Sequence, residues 1–83
     1  MADLDPALIR EWQASPRLAE RIAAELALEM RGRCRWDPVE GSFRIAVRMA
    51  VSEGTARRAK VLLANCGAIM KDVTGSSPGY YVS

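Results

Sequence analysis

The 83-residue chain contains no histidine. That removes the commonest metal ligand and the one side chain that titrates unaided near neutral pH. Cysteine is almost as scarce. Cys34 and Cys66 stand alone, without metal-ligand spacing, and read as free thiols of a reducing compartment. Aromatics amount to 6%, scattered as Trp12, Trp36, Phe43, Tyr80 and Tyr81. They read as packing residues, because a single-strand stacking platform needs aromatics interleaved with basic residues. No apolar run reaches the length of a membrane span. The opening Met1-Ala2-Asp3-Leu4-Asp5 is acidic, unlike the basic start of a signal peptide. No nucleophile motif occurs either. Gly75-Ser76-Ser77-Pro78-Gly79 has the composition of an anion loop, but no helix start follows it. These absences argue against an enzyme and imply no metal and no cofactor.

What is present is the composition of one small globular domain. The apolar share of 49% is too high for disorder, and the length allows one modest core. Net charge is only +2, but it is unevenly spread. Residues 1–30 hold three arginines against six carboxylates, a net of −3, and residues 31–83 carry a net of +5. A polyanion would meet a basic face with an acidic back; a mixed, solvated surface is the competing reading.

Periodicity divides the chain into elements. Asp5-Pro6 is a helix start, and Leu8, Ile9 and Trp12 share one face of the helix that follows, residues 7–14. Ser15-Pro16 repeats the signal. Leu18, Ile22, Leu26 and Met30 then form an amphipathic stripe that ends near Gly32. Arg33-Cys34-Arg35-Trp36 alternates like a short strand. Asp37 and Glu40 have the spacing of a capping box, although Gly41 and Ser42 allow the next helix to begin as late as Ser42. That helix is expected to turn Phe43, Ile45, Ala46 and Met49 inward and Arg44 and Arg48 outward. Ser52 caps the following helix. Its core side carries Ala56, Ala59, Leu63 and Cys66, its opposite side Glu53, Gly54, Arg57 and Val61, and Gly67 ends it. Residues 68–73 and 80–82 are strand-like around a Gly/Ser/Pro turn. The stretch from Ile45 to Ala59 is therefore two helices joined by a tight turn, followed at once by a β-hairpin. The expected fold is mainly α with a small β-hairpin: a winged helix-turn-helix with a three-helix core, a wing and an extra N-terminal helix. Its divisions are an arm over 1–16 and the winged domain over 17–83.

From about Ile22 to Val82 the chain resembles the DNA-binding domain of the GntR (gluconate-repressor-like) regulators. The first helix of that family carries Ile-Ala…Leu…Ile…Gly, here Ile22-Ala23, Leu26, Met30 and Gly32. Its second helix and turn run Leu-Ala, a bulky residue, then Gly-Val-Ser, here Ile45-Ala46, Met49 and Ala50-Val51-Ser52. Its third helix has Thr-Val-Arg, Ala, Leu and Gly, here Thr55-Ala56-Arg57, Ala59, Leu63 and Gly67 without a gap. Its wing ends Gly-Thr-Phe-Val, here Gly79-Tyr80-Tyr81-Val82. The chain departs from the family at Glu53, where arginine is usual, and at Val39-Glu40-Gly41, where Leu-Pro-Ser is usual. The wing is a few residues longer, and no effector domain is expected.

The resemblance implies a sequence-specific double-stranded DNA-binding regulator, a repressor, cytoplasmic and nucleoid-associated, paired as a homodimer on an inverted repeat. The recognition helix would be 52–66 and the wing 68–82. It maps DNA contact onto Ser52, Glu53, Thr55 and Arg57. Hydroxyls and amides at a helix start suit phosphate, and an outward arginine suits a guanine edge. The plainer alternatives are a cap for Ser52 and a solvated arginine for Arg57. Glu53 either accepts from cytosine N4 or stabilises the helix dipole. Arg44, Arg48, Arg58 and Lys60 are candidate phosphate clamps. Lys71, Thr74, Ser76 and Ser77 either carry the wing to the backbone or minor groove or form a solvated tip. The alternative function is a protein–protein interaction module with little DNA binding and a regulatory protein partner. Leu8, Ile9 and Trp12 either pack on the body or form a dimer seam.

Overall fold

The computed structural model describes residues 4–72 and 79–83. In chain order these form α1 (Pro6–Gln13), α2 (Leu18–Glu29), α3 (Ser42–Met49), α4 (Glu53–Asn65), β1 (Ile69–Asp72) and β2 (Gly79–Val82). The protein is thus mainly helical with a small two-stranded antiparallel hairpin, an arrangement compatible with a winged helix. Among the described residues no helix is long and apolar enough to cross a membrane.

The helix boundaries follow local chemistry. Asp5 accepts from Ala7 N at 2.9 Å, and Pro6 fills the first turn, where its missing N–H costs nothing. Ser52 Oγ accepts from Thr55 N at 3.1 Å and so satisfies one of the unpaired donors of α4. At the other end of α4, Gly67 takes φ +80°. Its N–H reaches Ala64 O at 3.0 Å, and Ala68 N reaches Leu63 O at 3.0 Å. This pair of reversed hydrogen bonds is a Schellman motif, which stops the helix and turns the chain straight into β1.

The core lies between α2 and α4. Ala23, Ala24 and Ala27 on α2 and Ala56 and Ala59 on α4 are fully buried. With so little side chain between them, the helices can approach closely. Ile45 from α3, Leu63 from α4, and Ile69 and Val82 from the hairpin close the remaining sides. Ile9 and Trp12 of α1 pack into this same cluster, against α2. Of the two placements open to them from sequence, they take the body of the domain.

Five expectations change. Cys66, expected on the core side of α4, is exposed where that helix ends. Phe43 is turned out, 67% exposed, and only Ile45 and Ala46 of α3 are buried, with Met49 partly so. Leu18, at the start of the α2 stripe, is 42% exposed. Asp37 and Glu40 do not form a capping box. Gly41 precedes α3, and Asp37 Oδ2 instead accepts from Cys34 N at 3.0 Å. Residues 33–36 are turns rather than a strand, and Trp36 has φ +71°. The backbone that meets β2 is the next stretch. Trp36 N donates to Val82 O and Val82 N to Asp37 O, both at 2.8 Å, and Val39 N donates to Tyr80 O at 2.9 Å. Pro38 between them has no N–H, so the hairpin gains a third backbone segment without a regular ladder.

Ala50 also stands out. It links α3 to the turn at φ +56°, ψ +45°, the left-handed region that favours glycine. Ala50→Gly is expected to stabilise the domain by about 0.5–1 kcal/mol, the relief of Cβ strain exceeding the added unfolded-state entropy. Chemical denaturation would measure it, and a destabilisation would contradict the left-handed assignment.

Candidate nucleic-acid interface

The first turn of α4 is a compact polar cluster. Ser52 Oγ and Thr55 Oγ1 are 2.8 Å apart, and Arg58 NH2 donates to Thr55 Oγ1 at 3.3 Å. Thr55 is 6% exposed, so its hydroxyl braces the cap rather than facing outward for phosphate as expected. Ser52 and Glu53 remain exposed. One turn on, Arg57 NH2 donates to Glu53 Oε1 at 2.7 Å, with both side chains largely solvated. Glu53 therefore acts first on its neighbour, holding the guanidinium and offsetting its charge.

Two open clefts meet at Arg57. One is lined by Arg17, Leu18, Ala19, Glu20, Arg57, Arg58, Val61 and Leu62, between the start of α2 and the outer side of α4. The other is lined by Ser42, Arg57, Lys60, Val61, Lys71 and Tyr80, between α4, the start of α3 and the hairpin. Arg17, Arg57, Arg58 and Lys71 thus come to one face from three parts of the chain. Glu53 on Arg57 and Glu20, 3.7 Å from Arg17, temper it. Arg17 carried no signal in the sequence, because it joins α4 only through the packing of α2.

The candidate clamps separate into three kinds. Arg44 and Arg58 are exposed on α3 and α4. Arg48 is outward, but its guanidinium is already held: NH1 and NH2 reach the Glu29 carboxylate at 2.6 and 2.8 Å, and NH2 reaches Glu40 Oε1 at 2.7 Å. Hydrogen bonds donated to Glu29, then to Glu40, keep this arginine protonated even more firmly than usual. Its observed role is to tie the end of α2 and the loop before α3 to α3. Lys60 corrects the expectation of a surface clamp. It is 7% exposed, donates to Glu40 O at 3.1 Å, and has its ammonium 5.1 Å from the Tyr80 ring centre. The hairpin covers the flank of α4 on which it sits.

Burial lowers the pKa of Lys60 from its ordinary 10.5, with Glu40 opposing in part. The folded state is therefore penalised for the charge at neutral pH. The penalty lifts as pH rises from the lowered folded pKa towards 10.5. Lys60→Met should accordingly remove an alkaline gain in stability that the parent chain shows. Denaturation midpoints across that range would show it, and parallel profiles would contradict it.

Lys71, on β1, is exposed, with Nζ 5.9 Å from the Tyr80 ring centre. Thr74, Ser76 and Ser77 lie outside the described residues. Cys34 and Cys66 are exposed free thiols. No family model, curated protein or solved structure matches the chain.

Proposed function

We propose that the chain is a GntR-like winged helix-turn-helix domain that binds double-stranded DNA, with α4 in the major groove and the hairpin against the backbone or minor groove. The observation that carries this reading is the shared basic face of Arg17, Arg57, Arg58 and Lys71 around the exposed side of α4. Arg57 and Val61 point out from the middle of that helix, a bidentate donor beside an apolar contact. Arg58, Arg17 and Lys71 flank them as cations for phosphate. Ser52 adds the start of a helix dipole. The role is binding rather than catalysis, without a cofactor. Two copies on an inverted repeat, repressing by occlusion, are the simplest output.

Selection of bound duplexes from a random pool tests this. Enrichment of a short motif, with symmetry if the chain pairs, is expected. Recovery of unenriched sequence would contradict specific readout.

A second reading, a protein-interaction module, draws on Phe43 and Val47. They stand one turn apart on α3, each 67% exposed. Replacing both with serine should leave DNA binding intact under the first reading. Loss of a protein partner with no DNA binding in the parent chain would favour the second.

A further inference from the structure

The outer face of the hairpin brings together residues that are far apart in sequence. Along β2, Val82 is buried and Tyr80 lies beneath Lys60, so both face the helices. Strand alternation then sends Tyr81, and Met70 opposite it in register, to the other side. Trp36 joins them there, its ring centre 6.3 Å from that of Tyr81 at an interplanar angle of 57°. Arg35 places its guanidinium carbon 5.7 Å from the Trp36 ring centre.

Trp36 is not a core residue that falls short of burial. It is 50% exposed, and it takes a left-handed φ of +71°, costly for a bulky side chain. Its N–H is fixed to Val82 O at 2.8 Å, and Asp37 O is fixed to Val82 N at 2.8 Å. The indole is thereby held outward by the sheet edge. Arg31 and Arg35 are exposed in the preceding loop. Arg33 is exposed as well, but its guanidinium donates to Pro38 O at 2.9 Å and lies 3.9 Å from Asp37, whose carboxylate also accepts from Cys34 N.

We propose that Trp36 and Tyr81, with Arg35, form a stacking site for an unpaired nucleobase of single-stranded nucleic acid, with the loop arginines taking its phosphates. A flat, half-exposed indole suits any base, since every base offers a π-face, and arginine serves both base and phosphate. The site lies on the opposite side of the hairpin from Lys60 and α4. It stands independently of the duplex reading and adds a second nucleic-acid contact to it.

Tryptophan fluorescence tests the site directly. The other indole, Trp12, is 6% exposed and serves as a constant background. Titration with a short oligothymidylate at low salt should quench the Trp36 component and saturate. Trp36→Ala should abolish the quench and weaken binding about tenfold, from the loss of one stacked base. Trp36→Phe should restore most of the affinity. Circular dichroism would confirm that each variant is folded. An absent quench would overturn the proposal. So would an equal quench by the same sequence as a duplex, or by polyglutamate, which would point to an acidic protein partner.

Discussion

Leu63→Ala is expected to destabilise the domain by about 2–5 kcal/mol, the range for emptying a closed leucine site. Leu63 is fully buried on α4, the helix that packs against α2, α3 and β1 alike. Its backbone carbonyl also accepts from Ala68 N at 3.0 Å, in the hydrogen bond that turns the chain into the hairpin. The surrounding wall is partly alanine, which has no long side chains able to swing into the space. A domain of this size holds roughly 4–12 kcal/mol in all, so the variant would lose a large share of its stability. Leu62→Ala, at a half-buried neighbour, should cost about 1 kcal/mol. Urea midpoints at constant slope would give both values. Near-equal losses would mean that α4 is not the centre of the core.

Arg57→Ala is expected to cost about 1–3 kcal/mol at a specific duplex and to relax the base preference opposite that position. Its counterpart is Glu53→Gln. The Glu53 carboxylate holds Arg57 at 2.7 Å and offsets its charge, so the amide should raise affinity for random duplex while narrowing the gap to the specific site. Stability should move by less than about 0.5 kcal/mol, because the pair is exposed and four residues apart on a helix. If instead Glu53→Gln weakens specific and random binding equally, Glu53 orients Arg57 without limiting it. If Arg57→Ala changes neither affinity nor preference, the base-reading role of Arg57 fails.

The features that were legible in the sequence are local. Asp5-Pro6, Ser52 and Gly67 set helix ends through side-chain oxygens and a left-handed glycine, and each acts where the sequence places it. The alternation of Ala56, Ala59 and Leu63 with Arg57 and Val61 gave both sides of α4. Phe43 was misdirected by its apolarity. It lies about 110° around the helix from the centre of Ile45, Ala46 and Met49, beyond what the core covers on so short an element. Lys60 sits on the flank of α4, and only the later hairpin decides that this flank is closed. The grip of Glu29 and Glu40 on Arg48, the convergence of Arg17 with α4, and the meeting of Trp36 with Tyr81 are likewise tertiary. Glu40 and Arg48 lie eight residues apart, and the other partners are separated by 19 residues or more.

On the proposed reading, Arg17, Arg57, Arg58 and Lys71 present one face to duplex DNA. Fluorescence anisotropy with a random duplex over a salt series would check this. The observed association constant should fall steeply as salt rises, and each of Arg17→Ala, Arg58→Ala and Lys71→Ala should reduce the logarithmic slope by about 1. Binding that is negligible at low salt, or a slope that none of these substitutions alters, would contradict it.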